Sequence, residues 1–161
     1  MKMVSRLALP ALLLLAACKG HDAAPTVTAA WVRLPAVTGQ PAAAYFTLHG
    51  GGSDATLVKV ESTLAQRADM HQSMTGTGMA NMPGMSISGA HAMAGMAPLD
   101  HVAVPAGGTV AFAPGGAHVM LYGLDKVVAP GTAVPLRFGF ADGRTAEAEA
   151  KTVAAGDGAP Y

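Results

Sequence analysis

From Thr26 to Val153 the chain alternates short apolar, β-branched runs with clusters of glycine and proline. The runs are TVTAAWVRL (26–34), AAYFTLHG (43–50), ATLVKVES (55–62), HVAVP (101–105), GTVAFAP (108–114), AHVMLYGL (117–124), AVPLRFGF (133–140) and RTAEAEAKTV (144–153). Each has strand length and is bounded by turn-forming residues: GGGSD at 50–54, PAGG at 105–108, PGG at 114–116, APG at 129–131 and ADG at 141–143. TAEAEAK has helical propensity, but its strict alternation directly after a turn predicts an edge strand. No stretch sustains a 3.6-residue period. Many short strands at this spacing predict an all-β fold, an antiparallel β-sandwich or Greek-key barrel.

One segment breaks the rhythm. Residues 74–98, MTGTGMANMPGMSISGAHAMAGMAP, have no sustained period and are rich in Gly, Ala and Ser. A loop of this length inside a compact domain is either functional or disordered. Seven of the ten methionines fall between Met70 and Met96. Met79, Met82 and Met85 recur at every third residue, and Met93 and Met96 share that step.

The N-terminus changes the cellular setting. A short basic start (Lys2, Arg6) precedes the apolar run LALPALLLLAA, too short to span a bilayer comfortably and typical of a secretory signal. It ends in Leu15-Ala16-Ala17-Cys18, which resembles a bacterial lipobox. Residues 1–17 therefore read as a lipoprotein-type signal peptide, and 18–25 as a lipidated Cys18 with its tether. In an ordinary signal peptide Cys18 would have no role. A diacylated cysteine would hold the protein on a membrane surface, and its sulfur could not serve as a thiolate. Lys19 does not resemble an inner-membrane retention signal, which favours a periplasmic protein anchored to the outer rather than the inner membrane. The 144 residues from 18 onward suffice for one domain (26–155) and a tail (156–161). They carry eight Lys+Arg against ten Asp+Glu, a charge of about −2. Nothing in that balance points to nucleic acid.

Methionine supplies a neutral, soft sulfur donor that selects Cu(I) over hard cations and over most borderline divalents. It binds without losing a proton and forms no disulfide in the oxidising compartment that a secretory signal implies. Imidazole adds affinity when neutral. If 117–122 is a strand, His118 and Met120 share a face. An isolated His-x-Met would most simply be a core methionine beside a satisfied histidine. This pair is not isolated, because Met96 precedes His118 with twenty-one residues between them, and His71 lies further upstream.

That set resembles the copper-site pattern of the periplasmic copper chaperones of the PCu(A)C type: a His, then Met-x21-His-x-Met. The flanking text is similar too, in AWVR (30–33), AAAYFTLHGGGSD (42–54), PLDHVAVPAGGTVAFAPGGAHVMLYGL (98–124) and GTAVPLRFGFADG (131–143). The resemblance covers about residues 26–153. It implies a cupredoxin-like β-sandwich binding Cu(I) near its surface through His71, Met96, His118 and Met120. It also implies delivery of copper to a cytochrome oxidase subunit or its assembly factor.

The chain departs from the family in one interval. Twenty-four residues separate His71 from Met96, more than the pattern has, so the Met-rich segment is an insertion. Met82, with ten residues between it and His71, competes with Met96 for the first methionine position. Met96 is preferred because it directly precedes the strands leading to His118. Met74, Met79, Met82, Met85, His91 and Met93 form a candidate secondary copper site, which with its histidine could also take Cu(II). Met70 should face away from His71.

Other classes fit less well. A blue-copper carrier needs a Cys thiolate with two His, and Cys18 is spent. No nucleophile–base pair or paired carboxylates form a recognisable catalytic motif, so the expectation is a non-enzyme. A copper-storage or resistance lipoprotein, using the insertion, is the main alternative.

Overall fold

The computed structural model describes residues 23–73, 85–87 and 95–161. The signal segment, Cys18 and Met74, Met79, Met82, His91 and Met93 lie outside the described residues. Ten strands and no helix are found among the described residues: β1 (Thr26–Arg33), β2 (Ala42–His49), β3 (Ala55–Glu61), β4 (Arg67–Ser73), β5 (Met85–Ile87), β6 (Met96–Val104), β7 (Thr109–Phe112), β8 (Ala117–Tyr122), β9 (Ala133–Phe140) and β10 (Thr145–Val153).

Eight of them run β1-β10-β9-β3-β6-β4-β8-β2 and close on themselves through the β1–β2 pairing. The expected all-β class is therefore present as a closed barrel. Closure leaves no free edge in the ring. β7 extends from β2, with Phe46 opposite Phe112, and β5 pairs with β6, with Met85 opposite Val102.

Alternation decides which side chains fill the barrel. Ala44, Phe46 and Leu48 of β2, Val119 and Leu121 of β8, and Val134, Leu136 and Phe138 of β9 all point inward and are buried. Phe46 stacks on Phe112 at 4.3 Å between centroids and meets Phe138 edge-on at 4.7 Å. Fully burying a side chain of this size stabilises by about 1.5–3 kcal/mol.

Four expectations change. β4 was not among the predicted runs: it carries only Ala68 and Met70 as apolar residues, both on its inward-facing side. β6 starts at Met96, five residues before the predicted HVAVP strand. The segment 74–98 is therefore not unbroken loop, since β5 lies in it and Met96 to Pro98 belong to β6. β10 is no edge strand. It pairs antiparallel with β9 and parallel with β1, so the barrel is not purely antiparallel.

β1 carries the one non-glycine residue with a left-handed backbone among the described residues, Ala29 at φ 49°. Thr28 pairs with Thr47 and Trp31 with Tyr45, three steps on β1 against two on β2. The extra residue is a β-bulge, and it reverses the inside–outside phase of the strand. Ala30 and Val32 then point inward, whereas Trp31 and Arg33 point outward beside Tyr45.

Candidate metal centre

Met70 is 6% exposed and belongs to the interior cluster, which turns its neighbours Asp69 and His71 to the outer face of β4. On β8, Ala117, Val119 and Leu121 are core, so His118 and Met120 point outward. The register does the rest. His71 pairs directly with His118, and Asp69 with Met120. On the other side of β4, His71 pairs with Pro98 and Ser73 with Met96. Ala97 and Leu99 are buried, which puts Met96 and Pro98 on the outer face. His71 thus has His118 directly across and the two methionines as diagonal neighbours, one on each side. Diagonal pairs about 7–8 Å apart are within reach of long side chains. Both methionines are partly exposed.

The two imidazole rings stand edge to face with centroids 6.0 Å apart. Imidazole–metal bonds of about 2 Å would put two rings on one ion with centroids about 5–6 Å apart, so these rings need little adjustment to share an ion. Their nitrogens are not equivalent. His118 Nδ1 lies 3.1 Å from the Gly116 carbonyl oxygen. A carbonyl can only accept, so the proton sits on Nδ1 and the Nε2 lone pair of the neutral ring is free. His71 Nδ1 is enclosed and has no hydrogen-bond partner. A buried polar atom left unpaired in this way fits a nitrogen that meets an ion.

Burial, and after it the nearby His118, pushes the His71 pKa below its usual 6.5; Asp69 pulls it up and Arg67 pushes it down. A depressed pKa keeps the ring neutral, the form that ligates. Arg67 pairs with Asp69 at 3.0 Å and lies over the Tyr122 ring at 4.2 Å. No group of three or more His, Cys, Asp or Glu that could hold a metal ion is found among the described residues.

From sequence Trp31 and Tyr45 are expected in the core and not beside the ligands; instead they and Arg33 adjoin the pair on the outer face. Trp31, Tyr45, His118 and His71 form one row across β1, β2, β8 and β4. The Trp31 and Tyr45 rings are 4.5 Å apart, Tyr45 and His118 are 6.4 Å apart, and the Arg33 guanidinium lies 5.1 Å from the Trp31 ring centre and 5.8 Å from that of Tyr45. The bulge that turns Trp31 outward leaves no sign in the apolar pattern. His49 is absent from the site; its Nε2 is 2.8 Å from Thr28 Oγ1. His101 lies opposite Ser86.

This architecture is an all-β barrel with a paired-histidine, two-methionine outer face. Residues 25–152 match the family described as "Putative lipoprotein LpqE-like", and the chain belongs to that family. A curated relative, "Putative lipoprotein Lxx21020" of Leifsonia xyli subsp. xyli (strain CTCB07), is 31% identical over 119 residues, 74% of this chain. That match spans 63% of the relative, less than two thirds of its length. Among solved structures, the copper-bound PCuAC domain from PmoF2 superposes with a TM-score of 0.59 at 19% identity, over 83% of this chain and 95% of that one. The Cu(I) form of DR1885 from Deinococcus radiodurans gives 0.54 at 26% identity, over 82% and 78%. The barrel thus has the fold of the PCuAC domain from PmoF2.

Proposed function

We propose that this protein is a Cu(I) metallochaperone that holds one ion between His71 and His118, with Met96 and Met120 as thioether donors, and passes it to a partner. The observation that carries the reading is the direct cross-strand pairing of His71 and His118, with one ring nitrogen free and another buried without a partner. The 26% identity to a Cu(I)-bound structure supports the same reading. Copper here is cargo. Neutral soft donors on an outer face let an acceptor's ligands replace them one at a time, without proton loss at sulfur. That suits transfer, not turnover.

Delivery to a cytochrome oxidase subunit or its assembly factor, and an exported, periplasmic location with a lipid on Cys18, complete the proposal. The family's lipoprotein description supports the anchoring. A second reading, copper storage or resistance, draws on Met74, Met79, Met82, Met85, His91 and Met93 of the insertion.

X-ray absorption of the Cu(I)-loaded protein tests the site. The reading requires both nitrogen and sulfur scatterers, with the nitrogen shell reduced in His71→Ala and the sulfur shell in Met120→Leu. A spectrum of nitrogen and oxygen alone, or one that neither variant alters, would refute it.

A further inference from the structure

His118 is the less exposed of the two histidines, at 5%, yet it lies outside the interior cluster and on the outer side of the barrel. What flanks it is His71 on one side and Tyr45 on the other. Tyr45 is 8% exposed and is backed by Trp31, itself 5% exposed. Arg33 lies against both of these rings and its Nε is enclosed without a hydrogen-bond partner, so ring faces hold this guanidinium where a carboxylate would be usual.

None of this assembly belongs to the interior, and it exists only because of the bulge at Ala29. Without the extra residue, Trp31 would point into the barrel and Arg33 with it. Left-handed backbone is strained at a non-glycine residue, and such strain persists where the surroundings demand it. Here it delivers two side chains to the back of Tyr45.

We propose that Tyr45, backed by Trp31 and Arg33, is a positioning residue for the metal centre: it fixes the His118 ring so that Nδ1 stays on the Gly116 carbonyl and Nε2 stays aimed outward. The inference rests on the copper reading above. His118 is then the anchored ligand, and His71, which has no such hydrogen bond, is the one free to turn and let go. Partners that orient a ligating histidine typically contribute about 10–100-fold in metal affinity.

The test reads the ring without metal. Nitrogen-15 shifts of the His118 imidazole, taken where both rings are neutral, should show the proton on Nδ1 in the wild type. Tyr45→Leu should spread it over both nitrogens and weaken Cu(I) binding by about tenfold. Tyr45→Phe, which keeps the ring, should restore both properties. Trp31→Leu should shift the same signals in the same direction if Tyr45→Leu does not fold. Tyr45→Leu with an unchanged nitrogen spectrum and unchanged Cu(I) affinity would overturn the proposal, as would Tyr45→Phe behaving like Tyr45→Leu. Wild-type protein that takes no Cu(I) would overturn the copper reading and this role with it. The metal-free spectrum distinguishes that failure from a Tyr45 that does not hold the ring.

Discussion

His71 and His118 face each other on neighbouring antiparallel strands, rings 6.0 Å apart, and only His118 has a hydrogen-bonded ring nitrogen. The asymmetry predicts unequal mutants. His118→Ala should lower Cu(I) affinity by about 100-fold or more, since even losing an orienting partner costs about 10–100-fold. His71→Ala should cost less and should speed release to a chelator. Competition titrations and stopped-flow transfer measure the two effects; equal losses and equal rates would contradict the asymmetry.

Acid should weaken the metal-free fold through His71. Its folded pKa lies below the usual 6.5, so the folded state binds fewer protons than the unfolded one. The stabilisation is complete above the unfolded value and is lost as pH falls from there through the folded value. Denaturant midpoints should fall over that window in the wild type, and His71→Gln should flatten the fall. The same depression should let Cu(I) binding persist below pH 6.5.

Ala29 gives a backbone prediction. Glycine takes positive φ without the steric cost that alanine carries, about 1–2 kcal/mol, but loses more chain entropy on folding. Ala29→Gly should therefore be neutral or stabilising by up to about 1 kcal/mol. Ala29→Val should destabilise by more than about 1 kcal/mol, because a β-branched residue tolerates this region worst. Urea unfolding separates the two. If both variants matched the wild type, Ala29 would carry no strain.

In the core, Phe46 touches both Phe112 and Phe138. Phe46→Ala should cost about 3–5 kcal/mol, the usual range for emptying a buried aromatic site. A loss below about 1 kcal/mol would mean the layer collapses to fill the space.

Much of the barrel is legible in the sequence, and the missing parts have a common cause. β2, β8 and β9 place apolar residues at every second position, so period two reveals them. β4 does not, because its outward residues are Arg67, Asp69, His71 and Ser73 and its inward ones include Gln72. The functional face supplies the polarity that hides the strand. His118-x-Met120 was readable because both ligands sit on one strand. The row through Tyr45 and Trp31 was not, since it depends on a register across four strands and on one extra residue in β1.

The most direct measurement is an anaerobic Cu(I) titration of the protein against a chromophoric chelator, beside the His71→Ala/His118→Ala double variant. One tight equivalent in the wild type, absent from the double variant, is the expected result. Further equivalents abolished by Met79→Leu, Met82→Leu and Met93→Leu would favour storage. Wild-type protein that withdraws no Cu(I), or a double variant that binds as tightly as the wild type, would contradict a copper site at this histidine pair.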